Sequence, residues 1–123
     1  MAIDTAAEVV AAYGAAWDEQ DEQARRALLE RAWTDGGTYT DPTAQVEGRE
    51  ALVEHIGGFH ARMPGFRIVT TSGVDGHNGC LRFGWQMLDP QGAVALEGMD
   101  FAEQGPDGRL KRIVGFFGPL PPA

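Results

Sequence analysis

The second half of the chain constrains the fold most. Apolar residues recur at alternate positions in four runs, Phe66 to Val74, Cys80 to Asp89, Ala93 to Glu103 and Leu110 to Phe117. Alternation puts successive side chains on opposite faces, which marks strands and not helices. The runs are joined by D-G-H-N-G, D-P-Q-G and G-P-D-G, short glycine-bearing connections of the kind that close hairpins. Strands joined in this way make an antiparallel sheet. Its strands carry apolar residues on both faces: Leu110, Val114 and Phe116 oppose Ile113 and Phe117, and Met99 and Phe101 oppose Val94 and Leu96. Helices cover one face of such a sheet, so a homodimer packed through the other face is expected.

Before Phe66 the apolar period is three to four. Thr5-Ala-Ala-Glu8 reads as a capping box, and behind it Val10, Tyr13 and Trp17, with Val9 and Ala16 beside them, form the stripe of a helix to about Glu19. A second helix is predicted over about Glu22 to Ala32, with Ala24, Leu28 and Leu29 inward and Arg25, Arg26 and Glu30 outward. Asp35-Gly-Gly is expected to stop it. Thr38 to Asp41 then reads as a short extended run, Thr43 to Gly48 as loop, and Arg49 to Met63 as a third helix interrupted in character by Gly57-Gly58. Helices followed by a meander give an α+β layout.

At 123 residues the chain is expected to be one domain, residues 1–123, with a core of its own. Its net charge of −8 offers no basic surface to nucleic acid or to an anionic membrane. No apolar run approaches membrane-spanning length. The opening M-A-I-D-T-A-A-E has no basic start and no long apolar core, so no signal peptide is expected. Cys80 is the one cysteine, which fits a reducing compartment and an inert buried thiol; a cytoplasmic protein is expected. The chain has no phosphate-binding loop, dinucleotide fingerprint or nucleophile elbow, and His55 and His60 diverge around a helix, so neither cofactor nor metal is expected.

Some residues are candidates for chemistry. Asp100 shares a strand face with Val94, Leu96 and Gly98; it is either a pocket acid with a raised pKa or a bulge residue that caps amides or pairs with an arginine. Asp41 precedes Pro42 and is either a turn residue or a carboxylate at a strand end entering a loop. Tyr13 is either a core tyrosine or a hydroxyl pointing into a cavity. His55 lies on the apolar face of the third helix, as a satisfied core residue or a pocket acid/base. Trp17, Trp33, Phe59, Phe83 and Trp85 either fill the core or line a cavity for an apolar ligand. Arg82 and Glu97 are expected to pair across strands.

Several segments, in order, carry a family likeness: Y-T-D-P, then V-E-G-R-E-A-L-V-E-H-I, H-N-G-C, G-M-D-F-A-E and P-D-G-R-L. In these the chain resembles the nuclear transport factor 2-like superfamily over nearly its whole length, with its SnoaL-like polyketide cyclase and ketosteroid isomerase branches nearest. The resemblance implies a cone-shaped, cystatin-like α+β barrel, three N-terminal helices packed on a curved antiparallel sheet. It implies a small apolar molecule in the cone and an isomerase- or cyclase-type enzyme without cofactor. Asp41 would then be the general base, with Tyr13 and a neutral Asp100 at the developing oxyanion; Asp100 also matches the acid/base aspartate of the cyclases. His55, Trp17, Phe59, Phe83 and Trp85 would hold substrate. The same fold also occurs as a non-catalytic ligand-binding or dimerisation module.

Overall fold

The structure is a computed structural model describing residues 5–123; residues 1–4, the start of the stretch read above for a signal peptide, lie outside the described residues. The elements are α1 (Ala6–Asp18), α2 (Glu22–Ala32), β1 (Trp33–Asp41), β2 (Ala44–Glu47), α3 (Arg49–Arg62), β3 (Arg67–Thr70), β4 (Asp75–His77), β5 (Cys80–Leu88), β6 (Val94–Gln104) and β7 (Leu110–Phe117). No described helix is long and apolar enough to cross a membrane.

The helices form where their caps and stripes place them. Thr5 Oγ1 accepts the Glu8 amide at 3.2 Å, and Asp21 Oδ2 accepts the Ala24 amide at 2.9 Å. The Glu8 carboxylate lies 3.7 Å from Arg31 of α2, an ion pair where a reach back to the cap was expected. Arg25 is not on an outer face as its charge suggested: it is 2% exposed. Its guanidinium donates to the carbonyl oxygens of Glu19 and Gln20 at the end of α1 and of Val53 in α3. Five donors in one planar fork let an arginine tie three helix segments together without a carboxylate. Gly57 makes room for it, since a Cβ there would stand 3.0 Å from Arg25 Nη1. The Gly57-Gly58 pair therefore sits in an unbroken helix.

Three expectations around β1 and β2 need correction. Asp35-Gly-Gly does not stop α2; the chain turns extended at Trp33, whose ring is fully buried, and the glycines fall inside β1, where its pairing with β7 shifts between Trp33 and Thr38. Thr43 to Gly48 is not all loop, because β2 folds back on β1 with Tyr39 opposite Val46. Its four residues do alternate, A-Q-V-E, but four residues are the least that can mark a strand. The sheet is also not wholly antiparallel. Its order is β2-β1-β7-β6-β5-β3, with β4 also on β5, and β1 runs parallel to β7. Hairpin turns fix only sequential neighbours, so they are silent on which strand an early extended segment joins. The result is three helices on a curved, mixed, seven-stranded sheet that does not close.

Elsewhere the register adjusts smaller readings. Of the expected strand Phe66 to Val74 only Arg67–Thr70 forms, as β3, while β4 (Asp75–His77) arises inside the D-G-H-N-G run read as a turn; both pair with β5. Arg82 takes Asp75 at 2.8 Å, while Glu97 stands opposite Gln86. A shift between Glu103 and Gln104 turns Leu110 inward, away from Val114 and Phe116. The inner face of the sheet, with Leu81, Phe83, Ala102 and Ile113, packs on the buried stripes of the helices, including Val9, Tyr13, Leu29, Leu52 and Ile56. The outer face carries Met99 opposite Phe116, 41% and 55% exposed, with Phe101 opposite Val114 beside them.

Candidate functional site

Between helices and sheet lies a cavity of about 150 Å³. Its floor is made by the buried residues Tyr13, Phe83 and Asp100, and the exposed Thr43, Thr70 and Arg62 stand at its rim. Each named candidate arrives from a different element. Tyr13 and Trp17 come from the α1 stripe, Asp41 from the end of β1, His55 and Phe59 from α3, Phe83 and Trp85 from the inner face of β5, and Asp100 from that of β6. All eight border this one cavity. Trp33 does not; it is filled core.

Two glycines make the carboxylates neighbours. Asp100 pairs across the sheet with Gly115 of β7, and Thr40 of β1 pairs with Val114. A Cβ on Gly115 would stand 2.9 Å from Asp100 Oδ1 and 3.5 Å from Asp41 Cβ, so any larger residue would fill the space between the acids. Trp85 is opposite Gly98, and a Cβ there would collide with the Trp85 ring and the Phe116 carbonyl. With Gly98 bare, the indole lies across β6 and its Nε1 donates to Asp100 Oδ1 at 3.1 Å. The alternative of a bulge at Asp100 is thus set aside: the register is regular there, and Gly98 serves a close approach of ring to backbone.

Asp100 is 6% exposed, and its pKa is raised from 3.8 to about 7. Burial is the main cause, opposed by the Trp85 N–H and reinforced by the negative charge of Asp41. The Asp100 carboxyl borders the cavity, so the protonated acid can donate there and the ionised one can accept. Asp41 behaves oppositely. Partial burial pushes its pKa up, but hydrogen bonds outweigh that and hold it below the usual carboxylate range. The Tyr39 hydroxyl donates to Oδ2 at 2.5 Å, and the Thr43 amide and hydroxyl both donate to Oδ1 at 2.7 Å. Asp41 therefore keeps the Asx turn that Asp-Pro suggested while it also faces the cavity.

Tyr13 Oη accepts the Trp17 indole N–H at 2.9 Å, which leaves its own proton to donate. Burial, then the charge of Asp100, raises its pKa well above the ordinary value, so it is a neutral donor. His55 is packed against Trp17 and Tyr39, with ring centroids at 5.9 and 5.7 Å. Burial lowers its pKa, Asp41 opposes that and Arg62 adds to it, so the ring is neutral at pH 7. Among the described residues, no three His, Cys, Asp or Glu side chains group as metal ligands. Tyr39, Thr43, Arg62 and Gly115 were not singled out as site residues from sequence. Only Gly115 left a mark there, as a glycine inside an apolar strand.

The SnoaL-like domain family matches residues 10–113. A crystal structure of a candidate isomerase of the SnoaL-like family from Agrobacterium tumefaciens is 33% identical, with a TM-score of 0.85 over 90% of this chain and 95% of that one. The chain belongs to the SnoaL-like family. Other solved structures share its fold at low identity. A candidate polyketide cyclase from Sinorhizobium meliloti is 13% identical, with a TM-score of 0.69 over 87% of this chain and 92% of that one. A protein of unknown function with a cystatin-like fold from Methylobium petroleophilum is 15% identical, with a TM-score of 0.73 over 93% and 76%. No curated protein matches the chain significantly. The superfamily read from sequence and the cystatin-like α+β architecture of this SnoaL-like domain thus both stand.

The raised Asp100 pKa has a consequence for stability. The unfolded carboxyl loses its proton near 3.8 and the folded one only near 7, so between these values the folded state holds more protons. Stability of the SnoaL-like domain is therefore expected to fall as pH rises from about 4 to 7 and to level off above, by on the order of 4 kcal/mol at most. Asp41, held low, acts at the acid side of that window, its contribution being lost as pH falls. His55, held low, makes stability rise with pH in the same window in both proteins, so urea denaturation of wild type and Asp100→Asn is read as a difference: wild type is expected to lose stability relative to the variant from about pH 4 to 7. A difference that rises or stays flat between about pH 5 and 7 contradicts it.

Proposed function

We propose that this protein is an isomerase- or cyclase-type enzyme that moves a proton on a carbonyl-containing, largely apolar substrate, using general acid/base catalysis without a cofactor. The single observation that carries the reading is a buried carboxyl with a pKa of about 7 facing an apolar cavity beside a tyrosine hydroxyl free to donate. A group with a pKa near the working pH is both the best available base when ionised and the best acid when protonated.

Asp100 takes a proton from the carbon next to the carbonyl; the C–H pair becomes the C=C bond of an enolate, and the carbonyl oxygen gains the charge. The Tyr13 O–H donates to that oxygen as the charge develops. Asp100, now protonated, returns the proton at another carbon in an isomerisation, or to an oxygen after ring closure in a cyclisation. The sequence reading gave the base to Asp41 and the neutral donor to Asp100. Three donors on Asp41 weaken it as a base and support the reverse assignment, with Asp41 a fixed charge that keeps Asp100 basic. Neutral His55 is a further donor or acceptor on the same wall, and Trp17, Phe59, Phe83 and Trp85 enclose the substrate.

Deuterium uptake at the carbon next to the carbonyl of small cyclic ketones, followed by NMR in heavy water, tests this. Wild type is expected to accelerate uptake, with Asp100→Asn slower by at least about 100-fold and Tyr13→Phe also slowed. The acceleration should rise with pH through about 7, as Asp100 ionises. Acceleration that falls above that pH returns the base role to Asp41, and none at all in wild type points to a binding module.

The partner we propose is a second copy of the chain, seated on the outer face of the sheet. Met99, Phe116, Phe101 and Val114 form an apolar patch there, and the ion pair Arg112–Glu103 at its edge offers both signs of charge, so the face can meet its own copy. Sedimentation should give a dimer for wild type and a monomer for Phe116→Glu. A wild-type monomer at high micromolar concentration contradicts the interface.

A further inference from the structure

The cavity-facing stripe of α3 ends in a charge. His55, Phe59 and Arg62 follow at four and three residues, so they share one face, and all three border the cavity. Arg62 stands exposed at the rim. Among the described residues it is the one arginine that nothing holds. Arg25 is tied to backbone carbonyls, and each of the others pairs with a carboxylate. In a chain of net charge −8, acids are plentiful, so a cation without one at the mouth of a cavity stands free for an anion from outside.

The interior sets the size and direction of what enters. An apolar cavity of about 150 Å³ holds one ring of the size of benzene, and this one has about that volume. A steroid or a fused polyketide exceeds that space and would extend out through the rim. The floor offers the Tyr13 hydroxyl and Asp100 to a carbonyl oxygen and its neighbouring carbon. The wall carries the Asp41 carboxylate, which repels a second anion placed deep in the cavity. A negatively charged ligand is therefore oriented with its carbonyl inward and its charge outward, at Arg62.

Resting on the reading of the site given above, we infer that the substrate is a ring-sized or short-chain carbonyl compound with a carboxylate at the end remote from the reacting carbonyl, and that Arg62 holds that carboxylate at the rim. Arg62 also lies in the basic last turn of α3, where any cation favours the helix dipole. That role affects stability and is indifferent to the ligand's charge.

The test uses para-hydroxyphenylacetate and para-hydroxyphenylacetamide, equal in size and differing only in charge, whose phenol oxygen stands for the enolate oxygen at Tyr13 and Asp100. Binding is read by calorimetry at low ionic strength in wild type, Arg62→Gln and Tyr13→Phe. The acid is expected to bind about five- to tenfold tighter than the amide to wild type, with the gap narrowing as salt is added. Arg62→Gln should erase the gap and leave the amide's affinity unchanged, while Tyr13→Phe should weaken both ligands. Equal affinities in wild type, or a gap that survives Arg62→Gln, overturn the assignment of Arg62 but leave the acid/base reading intact. Binding of neither ligand to wild type overturns the acid/base reading and this inference with it.

Discussion

Burying a carboxyl group among aromatic rings disfavours its ionised form, and the site of this protein is arranged around that cost at Asp100. The inner face of β6 holds the acid at the cavity floor, where desolvation raises its pKa to about 7. The Trp85 N–H limits the rise and fixes one carboxyl oxygen, and it reaches that oxygen only because Gly98 lets the indole cross the strand. Gly115 keeps the space between Asp100 and Asp41 open. Each of these residues is ordinary alone; together they leave one titrating group where a substrate can touch it.

The two aspartates divide the work through their surroundings. Asp41 is satisfied by Tyr39 and Thr43 and remains an anion; Asp100 has one donor and little water and titrates near neutrality. The charge on the first raises the basicity of the second, so the pair forms a single device. Tyr13 and His55 are kept neutral by burial, which makes them hydrogen-bonding groups and removes them as competing charges.

Much of this was legible in the sequence, for identifiable reasons. Long elements with strong periodicity, α1, α3, β5, β6 and β7, were read close to their observed bounds, and the family likeness drew Tyr13, Asp41 and Asp100 into one expected site. Short or context-dependent features were not. β2 is a single four-residue alternation inside what reads as a loop, and the parallel pairing of β1 with β7 depends on how the sheet curves. Arg25 was read outward because a charge is usually solvated; three backbone carbonyls, two at the end of α1 and one in α3, made burial tolerable. The role of Tyr39 escaped notice because a hydroxyl two residues before an aspartate looks like any strand residue until both face the same cavity. The base assignment was open to revision for a similar reason: a sequence shows two carboxylates but not how many donors each one has.

All of this rests on Asp100 being a buried acid poised near neutral pH. Carbon-13 NMR titration of the aspartate side-chain carboxyls, with Asp100→Asn for assignment, measures it directly. One carboxyl with a midpoint near 7 is expected in wild type and absent in the variant. Titration of every aspartate carboxyl in the ordinary acidic range would contradict a poised Asp100.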